Sequence, residues 1–135
     1  LYRALDRNAS PIASPIEPGL RSLLTVRVSQ INWCEFCVDK NSAVALERHV
    51  TADKLDALKD FGQSPFFSER EKAALTYAEM MTRSSGKANG SAIAALKKHF
   101  KEDAIIELTA LIAFQNLSSK FNASLGVQPQ GFCRR

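Results

Sequence analysis

The sequence predicts an all-α domain of about six helices. Apolar residues recur at helical spacing through most of the chain. Helix-start residues and a closing glycine punctuate those runs, and no pair of alternating segments is joined by a convincing hairpin turn. No unit recurs with a period of tens of residues, which argues against a solenoid. Short links between helix pairs point to a bundle with antiparallel neighbours.

Residues 1–17 carry Pro11 and Pro15 among Ser, Ala and Asn, with Pro18 just beyond, and are expected to form an irregular arm. The helical domain is expected over 18–128. Leu20, Leu23, Leu24, Val28 and Ile31 share one helical face. Leu24, Val26 and Val28 also alternate as a strand would, but the length of the run and the lack of a turn signal before Asn32 favour helix. A second helix is expected from about Cys34 to His49. Thr51 caps a third, bearing Leu55, Leu58 and Phe61 and stopping at Gly62. Ser68 with Glu71 forms a capping-box pattern that opens a fourth, broken at Ser84-Ser85-Gly86. Ser91 starts a fifth, with Ile93, Leu96 and Phe100 aligned. The longest runs from about Asp103 to Leu125, closed by Gly126 in a left-handed cap. Residues 129–135 read as a flexible tail.

Composition narrows the function classes. The 135 residues are 45% hydrophobic and 24% charged, as in an ordinary single globular domain. A formal charge of +4 is spread thinly, with no basic stripe, so no nucleic-acid role is expected. No run approaches the ~18 apolar residues of a membrane span, and no retained signal peptide is expected. Three cysteines are an odd number, which argues against a secreted disulfide framework and for a cytoplasmic protein.

Two of those cysteines form Cys34-Glu35-Phe36-Cys37 at the expected start of a helix. Unpaired amides and the helix dipole stabilise an anion there, so a thiolate is favoured. A spacing of three brings two sulfurs within disulfide reach, letting one attack and the other resolve. The competing readings are two buried structural cysteines or a metal site. Zinc needs about four ligands, and Cys133, His49 and His99 are the only soft candidates left, so no metal or other cofactor is expected. Trp33 and Phe36 could flank the site with apolar walls, but read first as core residues. Glu107 reads as a surface ion-pair member, Glu35 and Asp39 as solvated acids, and Cys133 as an exposed free thiol. His49 reads as a helix-terminal residue that satisfies carbonyls or favours the dipole.

The stretch Leu20-Arg21-Ser22-Leu23-Leu24, then Arg27 through Cys37, resembles the carboxymuconolactone decarboxylase / alkylhydroperoxidase D-like family. His99-Phe100, Ile105 to Leu108, Asn116 and Lys120 are similar to its final helix. The resemblance covers residues 18 to about 128. It implies an all-α fold assembled as trimers or hexamers, and a thiol peroxidase or disulfide reductase. The partners it implies are a peroxide and a dithiol donor, either lipoylated or thioredoxin-like. It implies Cys37 as the attacking thiol, whereas helix-terminus physics favours Cys34.

Two departures matter. The family histidine falls on Asn41 and the family glutamate on Ser22. Neither is a general base near neutral pH, so peroxidase activity is expected to be weak or changed. The alternatives are a redox-sensing or ligand-binding oligomer and, third, a lactone decarboxylase-like enzyme. The decarboxylase branch generally lacks the cysteine pair.

Overall fold

Helix α1 (Pro18–Ile31) is the axis around which the chain is built. Pro18 stands in its first turn, where the fixed φ of proline is already helical and its missing N–H costs nothing. The computed structural model describes residues 14–83 and 90–134. Five more α-helices follow: α2 (Glu35–Glu47), α3 (Ala52–Asp56), α4 (Glu69–Arg83), α5 (Gly90–Lys97) and α6 (Glu102–Ser124). A 3-10 helix spans Leu58–Gln63, and the described residues include no strand. The all-α expectation holds. The break at Ser84-Ser85-Gly86 and residues 1–13 of the arm lie outside the described residues.

Every residue of α1 from Leu20 to Ser29 is buried, because α2, α4 and α6 pack around it. That differs from the single apolar face expected, and it removes the strand alternative. Leu24, Val26 and Val28 alternate with polar residues, yet Thr25 and Arg27 are buried as well. A helix enclosed on all sides needs no polar face. Leu23 and Leu24 meet Leu75, Leu108, Leu111 and Ile112 in one core. Truncating such a residue to Ala costs about 2–5 kcal/mol.

The caps read from sequence are present. Thr51 Oγ1 accepts from the Lys54 amide at 3.2 Å. Ser68 and Glu71 exchange bonds of 3.0 and 3.1 Å, a complete capping box. At Gly126 (φ +66°) the Gly126 amide bonds Ala123 and the Val127 amide bonds Asn122, which closes α6 in a Schellman motif. The third helix is a correction. The run divides at Ala57 into α3 and the 3-10 helix, and Asp60 kinks the latter, although Leu55, Leu58 and Phe61 are all buried as expected.

Candidate functional site

The site grows from the turn between α1 and α2. Asn32 caps α1, and Trp33 follows in the left-handed region at φ +57°. The Trp33 amide bonds Gln30, and the Cys34 amide bonds Ser29 at 3.0 Å. This Schellman closure leaves one left-handed residue between two long helices. Cys34 therefore finishes α1 and caps α2. Its Sγ accepts from the Cys37 amide at 3.1 Å, and the two cysteines are joined as a disulfide with Cα atoms 5.2 Å apart. An amide aimed at Sγ at the positive end of a 13-residue helix favours negative charge on that sulfur.

Neutral polar groups lie behind the cystine. Ser29 Oγ donates to the Thr25 carbonyl and accepts from Asn41 Nδ2 at 3.2 Å and Gln115 Nε2 at 3.1 Å. Asn122 Nδ2 lies 3.5 Å from Cys37 Sγ. Asn32 reaches Asn116 at 2.9 Å and Ser119 at 3.4 Å. Ser29, Asn41, Gln115 and Ser119 are all buried. Hydroxyls and amides can orient a sulfur or carry a hydrogen bond to it, but they do not act as bases near neutral pH. Among the described residues no three His, Cys, Asp or Glu side chains cluster as a metal site.

In front of the cystine is a cleft of about 360 Å³, walled by Trp33, Cys34, Val38, Asp39, Lys59 and Pro129 among others. Cys34 is only 1% exposed and Cys37 3%, so the cleft reaches the pair through a narrow contact with Cys34. Pro129 comes from the C-terminal segment. The Asp39 carboxylate accepts backbone N–H bonds from Gln130 (3.0 Å), Phe132 (2.9 Å) and Cys133 (2.7 Å). Those amides, led by Cys133 and then Phe132, hold the Asp39 carboxyl below its ordinary range. Phe132 sets its ring edge against Phe36, with centroids 6.2 Å apart.

Three of the four expected site residues meet. Cys34 and Cys37 form the cystine, and Asn41 shares Ser29 with Gln115. Ser22 sits elsewhere. Its Oγ accepts from Arg48 Nη1 at 3.1 Å, at the far end of α2. Seven residues of α1 separate Ser22 from Ser29, roughly 10 Å of helix rise. Around Ser22, Arg21 pairs with Glu107 at 3.7 Å, and Ser14 Oγ donates to Glu107 at 2.6 Å. The Arg48 pKa is lowered first by burial and then by the charge of Arg21. Glu107 thus belongs to a largely buried pair, not to the surface.

Trp33 is also a correction. It is 85% exposed on the rim of the cleft, not in the core. Sequence does not single out Ser29 or Asn122 as site residues, and it leaves Gln115 between a subunit interface and a cap on the site. The available signal was polar residues interrupting apolar helices, which does not reveal which ones converge.

Residues 1–80 match the carboxymuconolactone decarboxylase family model. The uncharacterized protein YnjA of Escherichia coli is 44% identical over 121 residues, which are 90% of this chain and 66% of YnjA. The chain therefore spans just under two thirds of that relative. Among solved structures, an AhpD-type protein of unknown function from Agrobacterium tumefaciens superposes with a TM-score of 0.84 at 22% identity, over 96% of this chain and 89% of that one. The debrominase Bmp8 gives 0.78 at 27% identity, over 87% of this chain and 63% of that one. A cysteine-to-alanine form of Bmp8 is known in complex with 2,3,4-tribromopyrrole.

Proposed function

The chain belongs to the carboxymuconolactone decarboxylase family and has an AhpD-like fold, and from that premise we propose that it is a thiol-dependent peroxidase and disulfide oxidoreductase. The observation that carries this reading is the Cys37 amide, 3.1 Å from Cys34 Sγ at the N-terminus of α2. In the dithiol form the Cys34 thiolate attacks the outer oxygen of a hydroperoxide. The O–O bond breaks, the alcohol leaves with a proton, and Cys34 becomes a sulfenic acid. The Cys37 thiol then attacks that sulfur, its proton passes to the departing hydroxide, water leaves, and the disulfide forms. A dithiol donor, lipoylated or thioredoxin-like, returns two electrons and two protons by thiol–disulfide exchange.

The family resemblance implied Cys37 as the attacking thiol. The N-cap position and the cleft favour Cys34. Single-cysteine variants decide between them. Reduced Cys37→Ser protein challenged with hydrogen peroxide is expected to trap a dimedone-reactive sulfenic acid on Cys34. An adduct only in Cys34→Ser protein, on Cys37, reverses the roles, and no adduct in either removes the peroxidase reading. One similar structure is a debrominase, so a halogenated aromatic belongs among the substrates tried.

A second reading, a redox sensor that keeps the cystine and turns over little, is favoured by Asn41 and Ser22, which supply no acid–base group. Repeated turnover with a dithiol present supports the enzyme. One stoichiometric oxidation supports the sensor.

The assembly belongs to the same proposal. Ile106, Leu117, Phe121 and Leu125 are exposed along one side of α6. Such an apolar stripe suits association of copies, with a trimer or hexamer expected from light scattering. No helix among the described residues is long and apolar enough to cross a membrane, and a reducing cytoplasm suits the cycling pair.

A further inference from the structure

The C-terminal segment carries contacts that the redox cycle does not use. Gly131 adopts φ +74°, which a residue with a Cβ rarely takes, and this bend turns the amides on both sides of it toward α2. Gln130, Phe132 and Cys133 then donate to a single acceptor, the Asp39 carboxylate. A carboxylate taking three amide bonds is a strong local anchor, because each bond is charge-assisted. Phe132 adds its edge contact with Phe36, between the two cysteines in sequence. The anchored segment places Pro129 in the cleft wall with Trp33, Val38 and Lys59, facing a cysteine that is 1% exposed.

We propose that residues 129–133 form a specificity-determining wall of the Cys34 cleft, latched to α2 by Asp39, that admits narrow reactants to Cys34 and turns away bulky ones. A proline in the wall suits this role, since its fixed φ leaves it little freedom to yield. Asp39 acts through the segment as a positioning residue. A small hydroperoxide or small dithiol enters the cleft as it stands, and a protein dithiol reaches Cys34 only when the segment swings away. The inference rests on the proposed function only in taking Cys34 as the reacting sulfur.

Access is read without reference to turnover. The full chain is reduced with a phosphine, and labelling of Cys34 is followed by peptide mass spectrometry. N-ethylmaleimide serves as the narrow probe and fluorescein maleimide as the bulky one. The ratio of bulky to narrow labelling rates is expected to rise about tenfold in Asp39→Ala and in a chain ending at Gln128, since access enters the rate of a thiol reaction. Asp39→Asn, which keeps one acceptor oxygen, falls between. An unchanged ratio in the shortened chain overturns the wall. A raised ratio there with none in Asp39→Ala overturns the latch. Because a ratio at one cysteine is compared, a general loosening that speeds both probes alike also counts against the proposal. A peroxidase assay that fails while the ratio rises removes the proposed function and leaves the wall standing.

Discussion

Trp33 and His49 bracket α2 and share one backbone device, yet they serve different ends. Both are non-glycine residues in the left-handed region, at φ +57° and +67°. Both sit one residue past a helix cap in a Schellman motif. The His49 amide bonds Leu46 and the Val50 amide bonds Ala45, as the Trp33 amide bonds Gln30 and the Cys34 amide bonds Ser29. After His49 the motif delivers Val50 into the core. After Trp33 it delivers Cys34, which begins α2 at once and meets the Cys37 amide. The surroundings differ as well. The His49 end holds charged groups, Arg21 buried and Arg48 and Glu107 half-buried, whereas the groups behind the cystine at the Trp33 end are neutral: Ser29, Asn41, Gln115 and Asn122. The same local geometry feeds a core in one case and, in the other, the helix N-terminus on which the proposed function rests.

The largest expected effect separates the two ends outright. Cys34→Ser or Cys37→Ser lowers peroxide turnover about a thousandfold or more, as loss of a nucleophile or its partner does. His49→Gly leaves turnover as it is. Steady-state assays with a dithiol donor measure both. Next in size, Asn41→His sets a titratable ring one turn beyond Cys37, beside Ser29, and is expected to raise turnover by about a hundredfold, the lower range for an added general base. Ser22→Glu meets Arg48 at the other end of α2, so it changes turnover only about twofold at most by the same measure.

How much of this was legible follows from what each residue needs to declare itself. Thr51, Ser68 with Glu71, and Gly126 act on their own helix ends, so their neighbours in sequence reveal them. The C-x-x-C declares itself for the same reason. The encirclement of α1 does not, because burial of Thr25 and Arg27 depends on three other helices. Asn41 was legible only as a departure from a family pattern. Its meeting with Gln115 through Ser29 joins positions far apart in the chain. Asp39 read as solvated because nothing local marks the segment that covers it. The split of the third helix at Ala57 is not legible, because apolar spacing fits a 3-10 turn nearly as well as an α-turn over so short a run.

A smaller effect sharpens the comparison of the two turns. His49→Gly and Trp33→Gly each relieve a left-handed side-chain clash, and each is expected to stabilise the fold by about 1 kcal/mol in urea denaturation. Only Trp33→Gly also changes the rate at which dithiothreitol reduces the cystine, since Trp33 stands on the cleft rim.

The smallest effect concerns pH. The Asp39 carboxyl titrates below its ordinary value, so its hold on the tail is complete above that value and is lost as pH falls through the lowered one. Exchange of the Gln130, Phe132 and Cys133 amides, followed by NMR from about pH 5 to about pH 2, is expected to lose protection only toward the acid end. Absence of protection at the upper end of that range, where the carboxylate is fully ionised, contradicts the latch.

On the proposed function Cys34 and Cys37 are a working redox pair. The most direct test is mass spectrometry with thiol alkylation, before and after stoichiometric peroxide and again after dithiothreitol. A rapid, reversible loss of two hydrogens mapped to Cys34 and Cys37 is expected, with Cys133 still open to alkylation. A pair that stays reduced, or oxidation confined to Cys133, contradicts it.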